Sequence, residues 1–149
     1  MLRRILIVGV IAVVVVALVG TGGWLYFLTY SPDRAKFPVR GIDVSHHQGS
    51  IDWQQVAADD VAFAIIKATE GGDHVDREFQ ANFRAARSVG IAVGAYHFFT
   101  FCRPAVEQAE NFIRTVSRDQ PQLPPVVDVE FGGNCSARPT PEELAAELK

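Results

Sequence analysis

Two carboxylates, Asp128 and Glu130, close an apolar run that begins Pro124-Pro125-Val126-Val127. On an extended chain, residues two apart face the same way, separated by about 6.6–7 Å. An apolar setting and mutual repulsion raise the pKa of one member of such a pair, so that one carboxyl keeps its proton while the other is charged. Cleavage of a glycosidic bond needs that division: one group protonates the leaving oxygen, and the other supports the positive anomeric centre. A single acid at a strand end is ordinarily a cap or a surface charge. A pair inside an apolar strand is costly to bury without a purpose. Other candidates lie upstream. Asp43 follows a short apolar stretch, where capping of the next turn is the plain alternative. Lys67 and Glu70 are spaced as a structural ion pair. A buried Tyr96 needs a partner for its hydroxyl and is placed to hold a carboxylate or a substrate group. His46, His47 and His97, with Asp43 or Asp128, suggest a divalent metal and a deacetylase or amidase. Adjacent histidines on extended chain point to opposite sides, which disfavours one ion held by both.

These residues recur at corresponding places in a repeated pattern. Residues 41–45 read as a short strand. Asp52 caps a helix carrying Trp53, Val56 and Ala57 on one face. Residues 61–68 are nearly continuously apolar, as in a strand buried on both faces. Residues 77–89 place Phe79, Phe83, Ala86 and Val89 near helical spacing, and Gly90 stops that helix. Residues 91–99 are a third strand, 104–118 a helix with Pro104 in its first turn, and 126–130 a fourth strand. Thr140 and Pro141 start a last helix as cap and first residue. Four βα units predict a parallel α/β sheet, either doubly wound or a (β/α)-barrel. In both, ligands gather at the carboxyl ends of the strands, where the candidate residues fall.

The 149 residues carry a net charge of −3, with 48% apolar and 21% charged side chains. From residue 31 onward the charge is −5 and no basic stripe appears, which excludes a general nucleic-acid binder. The first 30 residues hold 22 apolar side chains, and residues 5–28 hold no charged one. Twenty-four helical residues at about 1.5 Å each cross a hydrocarbon core of about 30 Å. Arg3 and Arg4 precede the run, and Trp24, Tyr26, Phe27 and Tyr30 crowd its far end, as at a membrane interface. Residues 1–30 therefore read as a transmembrane anchor. The alternative is a cleaved signal peptide, with Gly20-Thr21-Gly22-Gly23 near the cleavage site. Residues 31–40, with Pro32 and Pro38, read as a linker, and residues 41–149 as the domain delivered outside the cytoplasm.

Four strings carry a resemblance: GIDVSHHQG at 41–49 followed by Ile51, Asp52 and Trp53; FAIIKATEG at 63–71; GAYHF at 94–98; and VVDVE at 126–130. In this order, at the ends of four successive strands, they resemble glycoside hydrolase family 25, the Chalaropsis-type lysozymes. The resemblance implies a TIM-type (β/α)-barrel, of which this sequence holds about the first half, truncated after the fourth βα unit. It implies hydrolysis of the β-1,4 bond between N-acetylmuramic acid and N-acetylglucosamine in peptidoglycan, with no cofactor or metal. It implies Glu130 as general acid, Asp128 as the group that orients or polarises the substrate acetamido group, and Asp43 as electrostatic support in the same cleft. Tyr96 lines the site, with Lys67, Glu70 and His97 as further substrate-binding candidates. The expected partners are glycan strands and, through the N-terminal helix, a membrane. A barrel lacking its second half also suits a non-catalytic wall-binding module. Cys102 follows the third strand and Cys135 the fourth. Adjacent parallel strands lie about 4.8 Å apart, so their following loops are neighbours and a disulfide between them is expected to brace the cleft.

Overall fold

The computed structural model describes residues 2–118 and 123–149, in two units, one ending at Pro38 and the other running Val39–Lys149. In the first unit, helix α1 spans Leu2–Thr29, and Leu6–Thr29 is long and apolar enough to cross a membrane. Its described apolar side chains are exposed, so no protein core accounts for their composition. Beyond it, Asp33 closes a turn: its backbone oxygen accepts from the Phe37 N–H at 2.8 Å, and its Oδ1 from the Ala35 N–H at 2.9 Å.

The second unit is a sheet with helices packed on one face. Its elements run β1 (Gly41–Val44), a 3-10 turn (His46–Gln48), α2 (Trp53–Ala58), β2 (Phe63–Glu70), β3 (His74–Val75), α3 (Phe79–Ser88), β4 (Ala92–Phe98), α4 (Ala105–Thr115), β5 (Val126–Asp128) and α5 (Pro141–Glu147). The parallel strands lie in the order β1-β2-β4-β5. This is sequence order without the reversal that marks a doubly wound sheet. The sheet is open: β1 and β5 are its edges among the described residues.

Side-chain alternation divides the sheet. Ala64, Ile66 and Ala68 of β2, with Val93 and Ala95 of β4, turn to the helices and are fully or nearly fully buried. There they meet Trp53 of α2 and Phe79, Phe83 and Ala86 of α3, the helical stripe expected from spacing. Small side chains at 64, 68 and 95 let the large rings of α3 approach the sheet. The Trp53 indole N–H donates to Asn82 Oδ1 at 3.1 Å within this layer. Helix starts also follow sequence signals. Asp52 Oδ1 accepts from the Gln54 and Gln55 N–H groups, and Thr140 and Glu143 form a capping box with Pro141 at the first position. Gly90, at φ 85°, turns the chain out of α3, a conformation a side chain would strain.

Several boundaries differ from expectation. β1 stops at Val44 because Ser45 leaves the strand to cap the 3-10 turn. β2 starts two residues later than predicted and runs on to Glu70, where it pairs antiparallel with β3, a strand too short for periodicity to register. α4 ends at Thr115, and Pro104 is its N-cap rather than a first-turn residue. β5 ends at Asp128, leaving Glu130 just past the ladder. The strand expected to be buried on both faces, β2, has no exposed residue: Ala64, Ile66 and Ala68 are buried on the helix face and Lys67 on the groove face, with Ile65 half-buried. β5 is an edge strand, with Val126 and Val127 exposed.

Cys102, after β4, and Cys135, after β5, are joined by a disulfide with Cα atoms 6.3 Å apart. Asn134 works beside it: its Nδ2 donates to the Phe99 and Glu130 backbone oxygens, and its Oδ1 accepts from the Phe101 N–H. The bridge closes a loop with a sequence separation of 33 residues, and the chain-entropy cost of such a loop corresponds to about 3–4 kcal/mol of stability. Thiol titration of the unreduced, denatured chain is therefore expected to find no free thiol, and reduction to lower the denaturation midpoint; two free thiols would remove the bridge.

Candidate active site

The face of the sheet opposite the helices lines an open groove of about 1020 Å³. Asp43, at the end of β1, and His46 and His47, in the turn after it, form one wall with His74 of β3. Ile65, Lys67 and Glu70 of β2, with Tyr96 and Phe98 of β4, form the floor. β5 and the loop after it supply Asp128 and Glu130 to the other wall. The three carboxylates expected to act together thus share one hollow with Tyr96, all at the carboxyl ends of parallel strands.

Tyr96 lies on the floor between the two walls. Burial, then the carboxylates of Asp128, Asp43, Asp76 and Glu130, push its phenol well above the ordinary tyrosine value. A phenol raised in this way keeps its proton and serves as a donor. Asp43 and Glu130 are exposed and Asp128 is half-buried. Among the described residues, the apolar enclosure expected around Asp128 and Glu130 is not formed: Val126 and Val127 of β5 are exposed.

Lys67 and Glu70 line the groove and also bond each other, Nζ donating to Oε2 at 2.6 Å. The ammonium is buried and sits 4.8 Å from the centroid of the Phe98 ring. Residues three apart on a regular strand face opposite ways. Here the pairing of β2 with β4 skips Ala68, so that Lys67 is opposite Tyr96 and Thr69 opposite His97. That one-residue bulge returns Glu70 to the Lys67 side.

The substrate-binding assignment of His97 is corrected. His97 alternates to the helix face, where it is buried with Nδ1 2.7 Å from Thr69 Oγ1 and Nε2 3.1 Å from Gln108 Oε1. Gln108 Nε2 donates to the Thr100 and Arg103 backbone oxygens, so Oε1 is the acceptor for His97 Nε2–H and Nδ1 accepts from Thr69. Burial lowers the imidazole pKa against the opposing pull of Gln108 and Glu70, and the ring is neutral. With both nitrogens committed behind the sheet, His97 also leaves the metal-centred alternative. Among the described residues no three His, Cys, Asp or Glu side chains are grouped to hold an ion.

Sequence reasoning missed Asp76. It is 2% exposed, between β3 and α3. Its Oδ2 accepts from the His46 N–H at 2.9 Å and lies 2.8 Å from His46 Nδ1, and its Oδ1 accepts from the Glu78 N–H at 2.9 Å. An aspartate two residues before a helical pattern signals a cap. Nothing local announces a partner 30 residues away. Burial raises the carboxyl pKa, but the hydrogen bonds from His46 and Glu78 together outweigh it and hold the group below the ordinary value. A depressed folded pKa stabilises the fold above the unfolded value, and that contribution fades as pH falls below about 3.9. In denaturant titrations followed by Trp53 emission, the stability gap between wild type and Asp76→Asn is expected to narrow between about pH 5 and 2. A gap independent of pH would contradict a charged Asp76.

Comparison with known proteins agrees with this geometry. The model of the glycosyl hydrolases family 25 matches residues 42–149. YegX of Escherichia coli K12 is 38% identical over 138 residues, covering 85% of this chain and 51% of YegX. Lysozyme M1 of Streptomyces globisporus is 46% identical over 99 residues, covering 62% of this chain and 33% of that protein. A solved family 25 glycosyl hydrolase from Bacillus anthracis superimposes with a TM-score of 0.69 at 44% identity, over 74% of this chain and 51% of its own. The chain spans between a third and about half of the length of these relatives. With the family's motifs at four strand ends and a parallel sheet that superimposes on a solved member, the chain belongs to glycosyl hydrolase family 25.

Proposed function

We propose that this chain acts on peptidoglycan as an N-acetylmuramidase, cutting the β-1,4 bond between N-acetylmuramic acid and N-acetylglucosamine. The observation that carries the reading is the gathering of Asp43, Tyr96, Asp128 and Glu130 in one groove at the carboxyl ends of parallel strands. In this reading the open sheet is the first half of a (β/α)-barrel. Glu130 gives its proton to the glycosidic oxygen as the bond to the anomeric carbon breaks. Asp128 orients the acetamido group of the sugar whose anomeric carbon is attacked, so that its carbonyl oxygen supports that carbon. Asp43 adds negative charge beside the developing cation, and Tyr96 holds a carboxylate or a sugar oxygen through its O–H. Water then takes the anomeric position, and Glu130 recovers a proton. Lys67 and Glu70 present a bonded pair to the glycan.

α1 serves as a membrane anchor, or as a signal segment, with residues 31–40 as the linker and the domain outside the cytoplasm. The disulfide suits that oxidising side. A second reading, a module that binds wall glycan without cutting it, draws on the open sheet and the exposed Glu130.

The test incubates the purified full chain in detergent with purified peptidoglycan and identifies new reducing ends. N-acetylmuramic acid ends are expected, and Glu130→Gln is expected to lower their release by about 10²–10⁴-fold with folding intact. Full activity in Glu130→Gln would remove Glu130 as the acid. Sedimentation with peptidoglycan and no new ends would establish the binding module instead.

A further inference from the structure

The wall opposite the Asp128/Glu130 pair is built from imidazoles. The His46 ring centroid lies 4.1 Å from that of His47 and 6.2 Å from that of His74, and all three line the groove. His46 alone is fixed. Its backbone N–H and its Nδ1 both engage the Asp76 carboxylate, a side chain only 1% exposed. A carboxylate that already accepts two backbone N–H groups can only accept again, so Nδ1 carries the hydrogen and donates. In the neutral ring the other nitrogen, Nε2, holds a lone pair. It has no partner among the described residues, and the ring remains 21% exposed. Such a buried carboxylate setting a tautomer is the usual way a protein aims one imidazole nitrogen.

From β1 to β5 the sheet takes three inter-strand steps, about 14 Å if flat. When Glu130 meets a glycosidic oxygen, His46 therefore reaches a neighbouring part of the glycan rather than the reacting atoms. We infer that His46 is a substrate-contact residue whose Nε2 accepts a hydrogen bond from a hydroxyl or acetamido N–H on a sugar flanking the cleaved bond, with Asp76 as its positioning residue. The inference rests on the glycan-cleaving reading for the identity of the ligand. His46 does not take part in bond cleavage. It fixes where the strand lies against the β1 wall, while the carboxylates act at the far wall. His47 and His74 flank the contact as ring faces rather than as fixed acceptors.

The experiment uses the full chain in detergent micelles, labelled with ¹⁵N, and the β-1,4-linked tetramer of N-acetylglucosamine as probe. Long-range proton–nitrogen spectra are expected to show His46 as the Nδ1–H tautomer in the free protein. Adding the tetramer should shift the His46 Nε2 resonance in both wild type and Glu130→Gln, and leave His97 unmoved. His46→Ala should weaken the tetramer Kd about three- to tenfold, the worth of one neutral hydrogen bond. Asp76→Asn should mix the His46 tautomers and weaken binding by a smaller factor. Should Asp76→Asn fail to fold, His46→Gln, which keeps an acceptor, is expected to recover part of the affinity lost in His46→Ala. An unchanged Kd in His46→Ala, a His46 that carries its hydrogen on Nε2, or no tetramer binding by wild type would each overturn the contact. Binding with the His46 shift but no reducing ends from peptidoglycan would instead leave the contact standing and remove the muramidase reading.

Discussion

A regular strand shows alternate residues to opposite faces, and β2 departs from that rule at one residue. Ala68 is passed over in the pairing with β4, so Ala68 and Thr69 are both fully buried, and Lys67 and Glu70 both face the groove. Three further features depend on this bulge. Thr69 is placed to meet His97 behind the sheet, which keeps that imidazole out of the groove. Glu70 lies opposite His74, which starts the antiparallel return of β3. The Ala68 carbonyl accepts from the Asp76 N–H at 2.9 Å, and this brings the buried carboxylate under His46. An irregularity of one residue thus decides which ionisable groups share the groove and which are sealed in the core.

The legible parts of the fold were those with local causes. Helix α3 follows from Phe79, Phe83 and Ala86 on one stripe, and α5 from a cap and a proline in adjacent positions. The strands were legible as apolar runs, and the position of Asp43, Tyr96, Asp128 and Glu130 at strand ends was enough to bring them together. What escaped were features that depend on register. His97 is expected in the groove with Tyr96, but β4 is regular there, and adjacent residues of a regular strand show opposite faces. Its true partners, Thr69 and Gln108, lie 28 and 11 residues away. Asp76 was invisible for the same reason, and β3 offers only two residues to a periodicity test. The expected enclosure of Glu130 failed on tertiary grounds: Val126 and Val127 are apolar, but a free strand edge cannot bury them.

The two faces of the sheet therefore carry different physics. On the helix side, contacts are apolar and close, and two buried amides, Gln108 and Asn111, make several hydrogen bonds each. Gln108 uses both ends of its amide to tie the Thr100 and Arg103 carbonyls and the Thr100 N–H, and Asn111 Nδ2 donates to the Gly71 and His74 carbonyls. These amides anchor the loops that follow β2 and β4 from behind. On the groove side, the groups that hold the loops are the disulfide and Asn134, which fix the segment carrying Glu130 to the segment after β4. Rigid loops over an open groove permit ionisable groups to be aimed without being buried.

That last distinction bears on the acid role proposed for Glu130. A carboxyl that must keep its proton near neutral pH needs either an apolar enclosure or a second negative charge nearby. Here the free β5 edge leaves Glu130 exposed, and Asp128 is the charge two residues away. Repulsion screened by water is weak, and it strengthens as water leaves the groove. In the proposed reading, a glycan lying along the floor, over Ile65, Tyr96 and Phe98, would remove water from the groove side of the pair. Polypeptide covering Val126 and Val127 would remove it from the other side. In the proposed reading, the covered groove rather than the strand alone sets the surroundings in which Glu130 meets the glycosidic oxygen.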